Sequence, residues 1–234
     1  MSSSMKTLYI VATPIGNLQD ITLRAADILL STPVIVAEST SKAGILLEFL
    51  EKYFNRKRLT GQKIISLTQE EEENKMSLIV QIVEQNNVAL ISEAGTPLIS
   101  DPGFRIVREA IKRDIKIVPV PGSSSPIAAL SASGLPTDKF IFLGFLPKSQ
   151  AKRKKLLIQS KDSKSTVIFF ESPHRTNETL KDLINALGDI DIVVARELTK
   201  IHEEIIRNKA GKILKRFEQK PPRGELTVLF SAKS

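Results

Sequence analysis

Short apolar runs alternate along the chain with longer stretches in which apolar residues recur every three or four positions. Val34–Ala37 and Val88–Ile91 are uninterrupted apolar runs of the length that buried strands have. Residues 105–113 and 176–187 show the spacing of helices with one apolar face. Strands that alternate with helices predict an α/β fold, in which a mostly parallel or mixed sheet is flanked by helices.

Three of the predicted strand-to-helix connections contain glycine, proline and hydroxyl residues. They read TPIGNLQD at 13–20, SEAGTPLISDPG at 92–103 and PGSSSP at 121–126. Ligands of open α/β sheets bind at the carboxyl ends of the strands, and small residues there let backbone amides approach a ligand closely. These loops therefore predict a ligand site. They lack a Lys-Ser/Thr pair and a complete G-x-G-x-x-G, so binding of a nucleoside triphosphate or dinucleotide is only weakly indicated.

Length and composition limit the architecture and the chemistry. A chain of 234 residues forms one large or two modest domains, and GLPTD at 134–138 indicates a boundary. We predict an amino-terminal α/β domain with the ligand loops at 1–133 and a basic α/β domain at 134–234. The absence of cysteine and the presence of two histidines argue against disulfides and a metal site. No apolar run approaches the ~20 residues that span a bilayer, so we expect a cytoplasmic protein without a membrane partner.

The net charge of +8 belongs entirely to the second half of the chain. Residues 1–117 hold 14 basic and 14 acidic side chains, whereas residues 118–234 hold 20 and 12. Such an excess attracts polyanions, and nucleic acid is the usual partner. We predict phosphate contacts at Lys148, Lys152, Arg153, Lys154, Lys155, Arg175 and Arg196. A solvated basic helix face is the alternative for the lysine-rich cluster.

Five long segments of the chain carry a family resemblance. They read LYIVATPIGNLQDITLRA, ISEAGTPLISDPGFRIVREA, VPGSSSPIAALSASGLPTDKF, IFFESPHRTNETL and VARELTKIHEE. Together they resemble the ribosomal RNA small-subunit methyltransferase I family of the tetrapyrrole (corrin/porphyrin) methylase superfamily. The resemblance implies two α/β domains with S-adenosyl-L-methionine in the cleft between them, and a homodimer. It also implies methyl transfer to the ribose 2′-hydroxyl of a cytidine in the decoding region of small-subunit (16S) ribosomal RNA.

The resemblance also implies site residues by position. Cofactor contacts are expected at Pro14, Gly16, Ala94, Gly95, Thr96, Ile99, Ser124, Ser125 and Glu171. Removal of the ribose proton needs a side chain at a strand end or in a loop beside the substrate, and the candidates are Glu38, Asp101 and Glu197, with Glu171 as a further one. Each of these carboxylates has a structural alternative, which is to cap a helix or pair with a cation. Asp101 in particular is placed to cap a helix that begins near Phe104.

Two other functions stay open. Members of the family usually read AEDTR where this chain has AESTS at 37–41, which leaves a catalytically inactive RNA-binding relative conceivable. A methyltransferase acting on a tetrapyrrole precursor is the second alternative, and it gives the lysine cluster no role. The basic second half favours RNA, and the intact EAGTP and PGSSS loops favour cofactor binding.

Overall fold

The computed structural model describes residues 6–232, so the outermost residues of the two predicted domains, 1–5 and 233–234, lie outside it. The chain divides into two units, one ending at Ser124 and the other beginning at Ser125. The first unit contains strands β1 (Thr7–Val11), β2 (Val34–Ala37), β3 (Lys63–Ser66), β4 (Val88–Ile91) and β5 (Lys116–Val120) and helices α1 (Leu23–Ser31), α2 (Thr40–Tyr53), α3 (Glu72–Gln85) and α4 (Phe104–Lys112). The second contains β6 (Phe140–Phe145), β7 (Thr166–Glu171), β8 (Asp191–Arg196), β9 (Glu204–Lys209) and β10 (Leu226–Ser231) and helices α5 (Ser125–Ser133), α6 (Gln150–Lys161), α7 (Thr176–Leu187) and α8 (Ala210–Gln219).

The first unit is built on a fully parallel sheet of order β3-β2-β4-β1-β5. Its inner strands β2 and β4 are buried along their whole length, because helices cover both faces of the sheet. Apolar residues of α1 and α2 pack on one face, and those of α3 and α4 pack on the other. This arrangement explains why these strands read as continuous apolar runs instead of alternating ones.

The second unit has a mixed sheet of order β6-β7-β10-β8-β9. Only β6 and β7 are parallel, and the remaining neighbours pair antiparallel. Helices α6, α7 and α8 pack on one face through a core that includes Leu157, Leu183 and Phe217. Helix α5 packs on the opposite face. The prediction of an α/β fold with two sheets flanked by helices is confirmed.

Helix α5 belongs to the second unit, although the sequence-based boundary falls after it at residues 133/134. The reason is packing: Ala129 and Leu130 of α5 are buried against Ile168 and Leu229 of the second sheet. The Gly-Leu-Pro sequence that follows the helix marks its end and not the division between the units.

None of the helices described for residues 6–232 combines the length and the apolar character that crossing a membrane requires.

Candidate active site

The loop after β4 lies at the point where chain connections leave the first sheet in opposite directions. From β2 the chain runs to α2 on one face, and from the neighbouring β4 it runs to α4 on the other face. Connections that diverge in this way open a crevice at the carboxyl ends of the two strands, which is where open α/β sheets bind ligands. Strand β1 flanks β4 on the other side, so its loop lies beside the same edge.

Hydrogen bonds join the three glycine- and hydroxyl-containing loops that the sequence singled out. Thr13 and Gly95 exchange two backbone hydrogen bonds, with N···O distances of 2.9 and 3.1 Å. The Thr96 hydroxyl donates to the carbonyl oxygen of Ser123 at 3.0 Å. The first unit therefore brings together the loops that follow β1, β4 and β5.

The joined loops leave little room for side chains and leave one polar atom unpaired. Gly95 has a φ of +81°, and a Cβ there would lie 3.1 Å from Cγ2 of Ile15. A Cβ on Gly122 would lie 3.0 Å from the Cβ of Ala12. The Thr13 hydroxyl is buried and has no hydrogen-bond partner within residues 6–232. Because an unpaired buried hydroxyl is costly, it fits a polar ligand placed against this backbone.

The β4 loop also holds backbone in sparsely populated conformations. Leu98 and Ser100 have φ values of +70° and +72°, and neither is glycine. Ile99 lies between them and exposes 43% of its surface. Strained backbone of this kind persists only where the surrounding structure enforces it, and it concentrates at binding sites.

Three carboxylates gather at the crevice between β2 and β4. Glu38 follows β2, and its Oε2 accepts a hydrogen bond from the Glu93 amide at 3.3 Å. Glu93 pairs with Lys42 at 3.0 Å. Burial raises the pKa of Asp101 to about 7; the charges of Glu38 and Glu93 add to the rise, and a hydrogen bond from Ser92 opposes it.

The alternative that Asp101 caps α4 is wrong. Gly103 occupies the N-cap position, and no side chain caps the helix from there. Glu72 of α3 caps the start of α4 instead, because its Oε1 accepts a hydrogen bond from the Arg105 amide at 2.7 Å. Asp101 is thus a half-buried carboxyl without a capping function.

The departure from AEDTR leaves the start of α2 intact. Ser39 is the N-cap of α2, and its hydroxyl accepts a hydrogen bond from the Lys42 amide at 3.3 Å. The Ser39 and Ser41 hydroxyls lie 3.0 Å apart. Serine caps a helix about as well as aspartate does, so the helix start beside Glu38 is preserved.

Glu197, in the second unit, has a structural role. Its Oε1 accepts hydrogen bonds from Lys200 Nζ at 2.9 Å and from the Glu225 amide at 3.0 Å. Burial opposes ionisation, but the hydrogen bonds from Lys200 and the Glu225 amide hold the pKa of Glu197 below its usual range. A carboxylate held in this way is a weak proton acceptor, so this geometry does not support the catalytic prediction for Glu197.

Glu171 is buried at the end of β7. Its carboxylate accepts hydrogen bonds from the Thr179 hydroxyl and from the Ser172 amide, the latter at 2.8 Å. Arg175 approaches it at 3.7 Å. These partners all belong to the second unit, and contact of Glu171 with the cofactor stays a prediction.

The predicted basic cluster needs a correction at Arg153, which is 0% exposed. Its guanidinium forms two hydrogen bonds to Asp182 Oδ2, of 2.8 and 2.5 Å, and one of 2.9 Å to Glu178. It also donates to the carbonyl oxygens of Pro147 and Lys148. Arg153 therefore joins α6 to α7 inside the unit, and it is not available to RNA.

The other predicted RNA contacts fall into two groups. Arg175 donates to the Leu146 carbonyl at 2.9 Å, and Arg196 pairs with Glu204 at 3.3 Å, so both guanidinium groups have partners in the protein. Lys154 is half-buried and lies 3.4 Å from Asp182. Lys148, Lys152 and Lys155 are exposed.

Sequence reasoning missed Thr13 and Glu93. Thr13 is the second residue after β1, in a position where a hydroxyl beside proline and glycine was the available signal. Glu93 directly precedes the Ala-Gly-Thr-Pro sequence of the β4 loop, and its effect on Asp101 is an electrostatic interaction that sequence spacing does not reveal. Within residues 6–232, no three His, Cys, Asp or Glu side chains cluster as metal ligands would.

Comparison with known proteins decides the family. Residues 7–214 match the model of the tetrapyrrole (corrin/porphyrin) methylases. The ribosomal RNA small subunit methyltransferase I of Thermotoga maritima is 40% identical over 98% of this chain and 100% of the relative. The chain belongs to this methyltransferase family of the tetrapyrrole methylases. The enzyme of the same name from Vibrio cholerae is 48% identical over 85% of this chain and 67% of its own length.

Solved structures agree with the methylase fold. Cobalt precorrin-4 methyltransferase superposes with a TM-score of 0.70 at 19% identity, covering 97% of this chain and 96% of its own. Diphthine synthase superposes with a TM-score of 0.71 at 16% identity, covering 96% and 90%. The prediction of a methyltransferase is confirmed, and methyltransferases of this family use S-adenosylmethionine.

Proposed function

We propose that this protein transfers a methyl group from S-adenosylmethionine to the ribose 2′-hydroxyl of a cytidine in the decoding region of small-subunit ribosomal RNA. The observation that carries the proposal is the similarity to relatives named ribosomal RNA small subunit methyltransferase I, at 39% to 48% identity over most of this chain. The excess positive charge of the second half agrees with an RNA substrate.

The loops of the first unit fit the cofactor. We assign its polar contacts to the unpaired Thr13 hydroxyl and to backbone near Gly95 and Ser124, where glycine permits close approach. Pro14, Gly16, Ala94, Thr96, Ile99 and Ser125 are retained as further proposed contacts. When bound, S-adenosylmethionine supplies an electrophilic methyl group on a sulfonium sulfur.

Asp101 is the proposed proton acceptor. A ribose hydroxyl is almost entirely un-ionised at neutral pH, so the enzyme must orient it and take its proton as the new C–O bond forms. A carboxyl whose pKa is about 7 is a stronger base than an ordinary aspartate, and half of it is ionised at that pH. Glu38 and Glu93 act as positioning residues, because their charges help to keep the pKa of Asp101 raised.

The second unit provides cations for the RNA. We assign phosphate contacts to Lys148, Lys152 and Lys155, which are exposed. We further propose that the protein acts in the cytoplasm, where ribosomal RNA is found, and as a homodimer. Sedimentation equilibrium tests the homodimer, and a mass of one chain at micromolar concentration contradicts it.

Methyl transfer to small ribosomal subunits tests the proposal. Subunits purified from a strain without the endogenous enzyme receive labelled methyl from S-adenosylmethionine, and nuclease digestion releases the nucleosides. We expect the label in 2′-O-methylcytidine. Label in a base or in protein contradicts the proposed acceptor, and no label despite cofactor binding contradicts the activity.

The variant Asp101→Asn tests whether Asp101 accepts the proton or instead contributes to cofactor binding. We expect its kcat to fall roughly 100-fold or more while its affinity for S-adenosylmethionine, measured by calorimetry, stays close to that of the wild type. The wild-type kcat/KM should rise with pH up to about 7 as Asp101 loses its proton. An unchanged pH profile in the variant would assign the base elsewhere.

A further inference from the structure

Strand β6 ends in an exposed aromatic ring. Phe145 exposes 55% of its surface, and its ring centroid lies 5.4 Å from that of Phe170 at the end of β7. The Phe142 ring lies 4.9 Å from Phe170, edge to face. We call Phe142, Phe145 and Phe170 the aromatic platform. The exposed ring of Phe145 presents a flat apolar surface to solvent at the carboxyl ends of the parallel strands β6 and β7.

A bulge in β6 places the Phe145 side chain on the same face of the sheet as Phe142 and Phe170. The register shifts between Phe142 and Phe145, which pair with Ile168 and Phe170. Ile168 and Phe170 are two residues apart on β7 and so share a face of the sheet, which places Phe142 and Phe145 on one face as well. Without the extra residue Phe145 would point to the opposite face. Gly144, with a φ of +64°, adopts the conformation that this bulge requires.

Two arginines fix the backbone that follows Phe145. Arg175 donates hydrogen bonds to the carbonyl oxygens of Leu146 and Pro147, at 2.9 and 3.2 Å. Arg153 donates to those of Pro147 and Lys148, at 3.2 and 3.1 Å. The segment is therefore held before any ligand arrives, and ordering it on binding costs little.

Unpaired positive charge lies next to the platform in the chain. Lys148 is three residues beyond Phe145, and Lys152 and Lys155 lie on the exposed side of α6. None of these three lysines forms an ion pair with a side chain in residues 6–232. Lys152 and Lys155 belong to α6, which packs on the other face of the sheet, so Lys148 is the cation nearest to the platform in the chain. An aromatic face followed three residues later by a free ammonium group complements a single-stranded nucleotide, whose base stacks and whose phosphates carry negative charge.

We propose that Phe145 stacks on an unpaired base of the RNA substrate, with Phe170 supporting the ring from behind. This inference rests on the proposed function, since it concerns how the same RNA is held. Phe145 is then a positioning residue for the RNA and takes no part in proton transfer.

The affinity of the protein for purified small ribosomal subunits tests the stacking. Dye-labelled protein is titrated with subunits at several salt concentrations, and fluorescence anisotropy gives the dissociation constant. We expect Phe145→Leu to bind roughly tenfold more weakly, because a base–aromatic stack is lost. Phe145→Trp should bind as well as the wild type. Phe140→Leu is the matched control, since Phe140 is 41% exposed at the other end of β6, and we expect it to leave the affinity unchanged.

Salt dependence separates stacking from charge. Phe145→Leu should leave the slope of log affinity against log salt unchanged, because no charge is removed. Lys152→Met should lower the magnitude of that slope by about one. A change of slope in Phe145→Leu would overturn the stacking proposal.

Three further results would overturn it. They are unchanged affinity of Phe145→Leu for the subunits, loss of its affinity for S-adenosylmethionine in calorimetry, and loss of self-association in sedimentation. The last two would assign the ring to the cofactor or to a second copy of the chain. Methyl transfer by the wild type tests the proposed function separately: if it succeeds while Phe145→Leu binds normally, only the stacking fails.

Discussion

The buried arginine of α6 gives the sharpest test of how the second unit is held together. Replacing Arg153 with methionine keeps an unbranched side chain of similar length and removes the charge. The carboxylate of Asp182, which is 1% exposed, then loses both of its hydrogen bonds from the guanidinium. The carbonyl oxygen of Lys148 loses a donor as well.

Removing one partner of a buried ion pair costs about 3–5 kcal/mol, because the remaining charge is left uncompensated. Two groups still approach Asp182 in the variant: Gln150 Nε2 at 2.9 Å and Lys154 Nζ at 3.4 Å. We therefore expect the lower end of that range, about 3 kcal/mol of unfolding free energy. In a unit of this size that loss lowers the melting temperature by roughly 10 °C or more.

Calorimetry and a double-mutant cycle measure this loss. Asp182→Leu alone should also destabilise the unit, and Arg153→Met combined with Asp182→Leu should recover much of the loss, because no buried charge is left. Lys152→Met, one residue away on the exposed side of α6, is the control, and we expect it to stay within about 0.5 kcal/mol of the wild type. If Arg153→Met melts like the wild type but binds small subunits more weakly, the arginine faces RNA and the reasoning is refuted.

Three further outcomes are expected. The unfolding free energy of the wild type in urea, taken relative to that of Asp101→Asn, should fall as the pH rises from about 4 to about 7, because the raised pKa of Asp101 makes the folded state bind a proton that the unfolded state has released; identical pH profiles of the two proteins would contradict the raised pKa. Gly95→Val should abolish binding of S-adenosylmethionine in calorimetry, since its φ is +81° and its side chain would crowd Ile15; unchanged affinity would exclude the β4 loop from the site. Ser39→Ala should lower the unfolding free energy by about 1 kcal/mol through loss of the α2 cap, whereas Ser39→Asp should keep it; equal stability of all three proteins would show that the hydroxyl contributes nothing.

The strands and helices were predictable because their signals are local. An apolar run such as Val88–Ile91 reports a strand buried on both faces, and it does so without knowledge of its neighbours. The pairing directions of the second sheet were not predictable beyond a parallel or mixed sheet, because β10 enters between β7 and β8 from the far end of the chain. The placement of α5 likewise depends on contacts with strands far along the chain.

The site likewise has features with local signals, which were predictable, and features that depend on distant residues, which were not. Glycine and hydroxyl residues of the three loops are visible in the sequence, and the loops do meet at one edge of the first sheet. The raised pKa of Asp101 was not visible, because it depends on burial and on the charge of Glu38, 63 residues earlier in the chain. That Asp101 does not cap α4 was not visible either, because the cap is supplied by Glu72 of another helix. Long-range contacts decide which of several plausible carboxylates is free to act.

Helix α6 shows how one basic segment serves two purposes. Its buried positions are Arg153, Leu157 and Ser160, which recur at the spacing of a helix face turned to the core. That periodicity was the available signal that Arg153 is internal, with acidic residues four apart on α7 as its partners. Arginine suits this position because its fork binds a carboxylate and carbonyl oxygens together.

Lysines occupy exposed positions in and just before α6, and their number determines how steeply RNA binding weakens as the salt concentration rises. Three exposed lysines, at 148, 152 and 155, release about two to three counterions on binding RNA, whereas the seven cations first assigned to phosphates would release about five to six. Replacing the three lysines with methionine should lower the salt slope of binding to small subunits by about two to three. A further fall of about two on adding Arg175→Met and Arg196→Met would mean that these guanidinium groups leave their carbonyl and carboxylate partners for phosphate. No further fall is expected, because both arginines already have hydrogen-bond acceptors within the protein.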